Sequence, residues 1–191
     1  MLESLHLKNF TAFKNADLRF GRGLNVFVGE NGTGKTHLLK FAYSISYVSA
    51  KGKKDSGSKN PTKTYLQGAV ADKLHGVFRP DELGSLKTRG QSRSQPCEVH
   101  CHFSQQKQDM TFSFNTQSKE VKVAHPPLVW GESLPVYLPT RELLSIYPGF
   151  VSLYETTHLS FEETWRDICV LLGAPLLKVK QMEPIHTMLT A

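Results

Sequence analysis

Gly29-Glu-Asn-Gly-Thr-Gly-Lys-Thr36 is the stretch that decides how this chain folds. Gly29, Gly34, Lys35 and Thr36 occupy the four specified positions of the phosphate-loop pattern Gly-x-x-x-x-Gly-Lys-Ser/Thr. Gly29, Gly32 and Gly34 let the backbone curl until successive N–H groups point inward at an anion. Glu30, Asn31 and Thr33 add their own backbone N–H groups to that cradle. A helix that begins here turns its positive end toward the same charge. The pattern places the Lys35 ammonium on the β- and γ-phosphates of a nucleotide and the Thr36 hydroxyl on magnesium. His37 follows on the first helical turn and is grouped with the nucleotide-binding residues, as a packed rather than a catalytic side chain.

Working outward, Gly23-Leu-Asn-Val-Phe-Val28 is an apolar run that ends directly at the loop, as a buried strand would. Leu38, Leu39, Phe41, Ala42, Ile45 and Tyr47 then recur at helical spacing, so the order is strand, glycine loop, helix. Upstream, short strands are expected at Leu5–Leu7 and Ala16–Phe20, with Gly21 and Gly23 marking a turn. Downstream, Tyr65–Phe78 reads as an amphipathic helix stopped by Pro80. Glu98–Phe103, Met110–Phe114 and Glu120–Val123 alternate like an antiparallel meander. One more strand is expected at 136–138, and helices at 141–146, Phe150–Glu155 and Phe161–Leu172. Ser160 and Glu163 have the spacing of a capping box for the last helix. No element is expected from 178 to 191, and no internal repeat is visible.

The 191 residues carry a formal net charge of +6, much of it local. Residues 50–64 hold Lys51, Lys53, Lys54, Lys59 and Lys63 against one acid, Asp55, among Gly, Ser, Asn and Pro. A second stretch holds Lys87, Arg89 and Arg93. Both are expected to be flexible, solvated basic loops. A nucleic-acid contact is the alternative, although neither stretch has interleaved aromatics. No apolar run approaches the ~18–20 residues that cross a bilayer, and the first residues do not read as a signal peptide. Cys97, Cys101 and Cys169 do not make a disulfide framework, so a reduced, cytoplasmic setting without membrane contact is expected. Cys97-Glu-Val-His-Cys-His102 raises the question of zinc. On a strand its two cysteines lie ~13 Å apart, and His100 with His102 gives two ligands where structural zinc takes four. A plain strand is therefore expected, and Trp130 and Trp165 are expected to serve packing.

The stretch Leu5-x-Leu-Lys-Asn-Phe-x-Ala-Phe13, then Leu18-Arg-Phe, then the loop itself, resembles the start of the SMC/RecF/OLD group of ABC-type ATPases. Val136-Tyr-Leu-Pro-Thr-Arg-Glu-Leu-Leu-Ser-Ile-Tyr-Pro-Gly-Phe150 resembles AAA-type ATP-binding proteins of the same group. The resemblance covers roughly residues 1–175 and implies an α/β fold: a P-loop NTPase lobe with a small antiparallel β insertion and a helical C-terminal part. It implies ATP and magnesium as ligands, Asn9 and Phe10 with Lys8 and Phe13 at the nucleoside end, and Thr140 and Arg141 toward the γ-phosphate or a partner; a strand end with two core phenylalanines, and a capped helix start at Thr140, are the alternatives. It also implies a homodimer or partner lobe that completes the site, with nucleic acid as a further partner and a role related to DNA or defence.

Several parts of the group's pattern do not occur. No apolar run ends in the Asp-Glu pair that holds magnesium and activates water. A Leu-Ser-Gly-Gly type signature and a late switch histidine are absent too, and no catalytic residue can be named. The chain is therefore expected to be the N-terminal, nucleotide-binding half of an ATPase, with a tail over 176–191. A stand-alone kinase or GTPase and a basic nucleic-acid-binding module are the alternatives, and no guanine-reading Asn-Lys-x-Asp is found for the former.

Overall fold

The computed structural model describes residues 1–139 apart from 91 and 93, and 147–174 apart from 158. The helix expected at 141–146, Thr140 and Arg141, and the tail from 176 lie outside the described residues. The chain divides into two units, Met1–Tyr137 and Leu138–Ala191.

In the first unit, β1 (Leu2–Phe10) and β2 (Phe13–Arg19) are joined by a tight turn. The meander follows as β3 (Cys97–Phe103), β4 (Met110–Phe114) and β5 (Lys122–His125). All five form one antiparallel sheet in the order β2-β1-β3-β4-β5. The expected initial β-layer and β insertion are thus one sheet, because β1 pairs with β3 across more than ninety residues of chain. Period-two alternation sends Leu5, Leu7, Val99, Cys101, Phe112 and Val123 to one face, where all are buried. Helices α1 (Lys35–Ser56) and α2 (Lys63–Phe78) cover that face with Leu38, Phe41, Ile45, Leu66, Val70 and Leu74, in one continuous core. Phe10 sits at its centre, 4.6 Å from the Phe41 ring and 5.7 Å from the Phe78 ring. The mixed α/β class read from the sequence is the one observed.

Helix α1 overruns the basic stretch read as a loop over 50–64. It continues to Ser56 and ends on Gly57 in the left-handed region (φ 64°), leaving a short connection before α2. Lys53 and Lys54 lie in its last turn, where cations complement the helix dipole. Gly52 is buried because the Trp130 indole lies over it: an added Cβ would come within 2.2 Å of that ring. Trp130 also donates from Nε1 to the Ser58 carbonyl at 2.9 Å, tying down the connection. Thr62 caps α2, accepting from the Tyr65 N–H at 3.4 Å.

The run before the phosphate loop differs most from expectation. Residues 23–28 form no strand. Leu24, Val26 and Val28 are 92%, 70% and 87% exposed, and only Phe27 turns inward, 6.2 Å from the Phe20 ring. Alternating apolar side chains suit a buried strand, but burial needs a neighbour. Among the described residues no backbone hydrogen bond reaches 24–28. The strand expected at 136–138 is likewise absent, with Val136 58% and Leu138 74% exposed.

In the second unit the described residues form α3 (Tyr147–Thr156) and α4 (Glu163–Leu172), close to the expected helices. Phe161 bridges them, its ring 5.6 Å from Phe150 and 4.9 Å from Trp165. The expected capping box is not formed: Glu162, not Ser160, stands at the N-cap and makes no side-chain cap.

Two outcomes follow from this core. Phe10→Ala should cost about 3–5 kcal/mol in urea unfolding, and a loss below about 1 kcal/mol would contradict its central place. His100, on the outer face of β3, is held below the ordinary imidazole pKa by burial, then by His6, against the opposing pull of Glu98, with His102 and His125 adding to the depression. The unfolded chain therefore binds a proton that the folded one resists, and stability falls as pH drops through ~6.5. Unfolding midpoints at pH 7.5 and 5.5 should diverge less in His100→Thr than in the parent, and equal divergence would refute the assignment.

Candidate phosphate-binding site

The glycine loop leaves residue 28 and turns into α1 through Gly32 (φ 83°) and Gly34 (φ 95°), both left-handed. The two glycines serve different ends. A Cβ on Gly32 would meet nothing within 4 Å, so this position borders open space above the loop. A Cβ on Gly34 would come within 2.9 Å of the Phe13 ring and 3.2 Å of Ala12. Only glycine allows α1 to begin so near the β1–β2 turn. The Thr33 hydroxyl donates to the Glu30 carbonyl at 2.9 Å and closes the loop on itself. Lys35 curls back, its ammonium donating to the carbonyls of Gly29 and Glu30, each at 2.7 Å.

A cleft of about 680 Å³ opens over this loop. Its floor is Asn31, Gly32 and Gly34–His37; one wall is Thr11, Ala12 and Lys14, the other Ser85–Arg89. Thr36 and His37 are exposed at the start of the helix, and the His37 ring packs edge-on to Phe78 at 5.6 Å. The second wall is positioned by backbone bonds. The Thr11 N–H donates to the Leu86 carbonyl at 2.7 Å and the Thr88 N–H to the Asn9 carbonyl at 3.0 Å. The Thr88 hydroxyl donates to the Phe13 carbonyl at 3.0 Å. Behind it, Gly84 fits against the 115–118 turn, where a Cβ would come within 2.0 Å of the Thr116 carbonyl oxygen.

Lys14, Lys35, Lys87 and Arg89 all line the cleft, and among the described residues no carboxylate does. Lys87 is buried and donates to the Ser92 carbonyl at 2.6 Å. Thr11 is held at φ 46°, rare for a β-branched residue, with its hydroxyl buried and unpartnered. These features fit a polyanion with a hydrated metal. The backbone around Gly32 is open, Thr36 is exposed, and the charge lining the cleft among the described residues is of one sign.

Asn9 and Phe10 do not line the cleft. Phe10 is in the core, and Asn9, left-handed at φ 56°, donates its side-chain amide to the Pro96 carbonyl at 3.1 Å. Lys8 lies on the outer sheet face, paired with Glu98 at 3.2 Å. Their part is to fix the turn that carries Thr11, Ala12, Phe13 and Lys14. The second wall went unread in the sequence, because Lys87 and Arg89 looked like members of a solvated loop. Leu83 and Leu86, both buried, were the local sign that this segment is anchored.

The crowding at Gly34 sets an order of sensitivities. Gly34→Ala should destabilise by roughly 1–3 kcal/mol through strain and the Phe13 clash, and by more than Gly32→Ala does. Parallel denaturant titrations decide, and the reverse order would refute the geometry.

A family model described as an AAA domain matches residues 4–125. Among curated proteins, the chain is similar to the DNA replication and repair protein RecF of Listeria monocytogenes serotype 4b (strain CLIP80459). Identity there is 34% over 87 residues, covering 43% of this chain and 22% of that protein. RecF of Streptococcus suis (strain 05ZYH33) is 44% identical over 45 residues, 24% of this chain and 12% of that protein. RecF of Listeria welshimeri serovar 6b is 51% identical over 39 residues, 20% of this chain and 10% of that protein. The chain thus matches no more than about a fifth of the length of these relatives. A solved structure from work on ATP-driven dimerization and DNA-stimulated activation of SMC ATPases superposes with a TM-score of 0.43 at 14% identity, over 88% of this chain and 98% of that one.

Proposed function

Since this chain belongs to the AAA-domain family, we propose that it is the nucleotide-binding half of an ABC-type ATPase, taking ATP with magnesium in the cleft over Gly29–Thr36 and serving DNA replication or repair. The observation that carries this reading is the cleft itself: a glycine loop opening a helix, surrounded by Lys14, Lys35, Lys87 and Arg89 with no lining carboxylate among the described residues.

The chain's own groups divide the work. Backbone N–H groups of residues 30–36 bind the β- and γ-phosphate oxygens, aided by the helix end. Lys35 exchanges the Gly29 and Glu30 carbonyls for phosphate, a stronger acceptor of a charged donor. The Thr36 hydroxyl would hold a magnesium ion, which would supply positive charge to offset that of the phosphates. Lys14 and Arg89 flank the phosphate chain from the two walls. Among the described residues no carboxylate lines the cleft to orient an attacking water, and in this reading a partner lobe supplies it. The exposed apolar side chains of Leu24, Val26 and Val28 offer that lobe a surface beside the loop.

ATP–magnesium titration by calorimetry should give one site per chain. Lys35→Ala should weaken it about 10- to 100-fold, the worth of a hydrogen bond to a charged group. Turnover by the purified chain should be slow. Absence of ATP binding would overturn the nucleotide reading, and fast turnover abolished by Lys35→Ala would overturn the half-site reading.

A further inference from the structure

The basic stretch where α1 passes into α2 is not accounted for by the phosphate cleft. Lys53 and Lys54 stand in the last turn of α1, Lys59 in the connection and Lys63 in the first turn of α2, all exposed. Among the described residues none of the four is in an ion pair. Other lysines of this unit have partners: Lys8 pairs with Glu98, and Lys51 donates to the Tyr47 hydroxyl at 2.8 Å. Asp55, the one acid of the stretch, follows Lys51 by one turn on the same helix face. Its charge is felt at Tyr65, whose hydroxyl is held above its ordinary pKa by burial and then by Asp55. Lys53 projects about 160° around the helix from Asp55.

Helix dipoles do not explain the set. Lys53 and Lys54 complement the C-terminal end of α1, but Lys63 stands at the N-terminal end of α2, where a cation opposes the dipole. No acid in that first turn offsets it. The backbone that carries these lysines is nevertheless ordered. Besides the Trp130 bond to the Ser58 carbonyl, the Ser58 N–H donates to Ser56 Oγ at 3.1 Å and its hydroxyl to the Asn60 carbonyl at 2.8 Å. Chain length alone keeps Lys54 within about 18 Å of Lys59, and Lys59 within about 14 Å of Lys63. The 22 residues of α1 set this patch about 30 Å from the phosphate loop.

We propose that the α1–α2 connection, with Lys53, Lys54, Lys59 and Lys63, is a docking surface for the phosphodiester backbone of a nucleic acid. Such a backbone presents a charge every ~1.7 Å of duplex, so it needs cations spread over a surface rather than converging on a point. Residues 53–64 hold no large apolar side chain. A membrane surface would call for an apolar face beside the charge, and a protein partner for aromatic anchors. Small hydrogen-bonding side chains, Ser56, Asn60 and Thr64, lie among the lysines instead, as phosphate contacts use. With no aromatic on which a base could stack, the contact reads charge and not sequence. The inference gives a surface to the DNA-related part of the reading above and rests on that part, while ATP binding stands or falls separately.

The test is fluorescence anisotropy of a labelled 20-base-pair duplex of arbitrary sequence, titrated with the full chain at several salt concentrations. A dissociation constant of about 1–100 µM is expected, with log affinity falling against log salt at a slope of about −3 to −4, the mark of four phosphate contacts. Replacing Lys53, Lys54, Lys59 and Lys63 by Gln should weaken binding at least tenfold and flatten the slope by at least 2. Replacing Lys107, Lys119 and Lys122 by Gln should change it less than twofold. ATP–magnesium at constant ionic strength should not displace the duplex. If the fourfold variant fails to fold, Lys59→Glu with Lys63→Glu decides by the same tenfold loss. Equal loss in the Lys107, Lys119 and Lys122 variant, full displacement by ATP–magnesium, or binding to anionic phospholipid vesicles but not to duplex would overturn the proposal. Failure here with ATP binding intact would remove the surface and leave the nucleotide reading in place.

Discussion

The ring of Phe13 lies where a side chain on Gly34 would have to go: a Cβ there would come within 2.9 Å of it. That approach presses the start of α1 against the β1–β2 turn, and the cleft depends on it. The turn is held from two sides. Phe10 anchors it in the core between Phe41 and Phe78. The 86–88 segment ties it through Thr11, Asn9 and Phe13 backbone atoms. Loop, turn and second wall are therefore one assembly, in which a shift of any part moves the others.

Charge gives that assembly its direction. Four cationic residues line one cleft, and among the described residues no carboxylate faces them; like charges held together favour whatever anion relieves them. Lys35 meanwhile satisfies itself on two carbonyls of its own loop. A phosphate oxygen replaces both acceptors and draws the ammonium outward.

Much of this was legible in the residues. The glycine spacing and the periodicity after it announced the loop and α1, and the alternation of 97–103 and 110–114 announced β3 and β4. What stayed hidden depended on distant partners. Nothing local says that His6 will face His100, since that follows from the pairing of β1 with β3. Lys87 and Arg89 looked solvated because their anchor is the backbone of residues 9–13. The lysines of 50–56 looked disordered, whereas helix continuity and Trp130 over Gly52 order them. Residues 23–28 erred the other way: their alternation fits a buried strand, yet Leu24 and Val28 stand almost fully exposed. Asn9 and Phe10 carry the resemblance to the ATPase group, but here they hold the turn and leave the lining to Thr11, Ala12 and Lys14.

The central claim is that the loop, the turn and the 85–89 segment surround one triphosphate. Backbone amide shifts measured by NMR during titration with ATP and magnesium test it directly. The account predicts large shifts confined to residues 29–37, 11–14 and 85–89, saturating together with one apparent affinity. Shifts that miss the loop, or that move the loop while leaving both walls still, would contradict it.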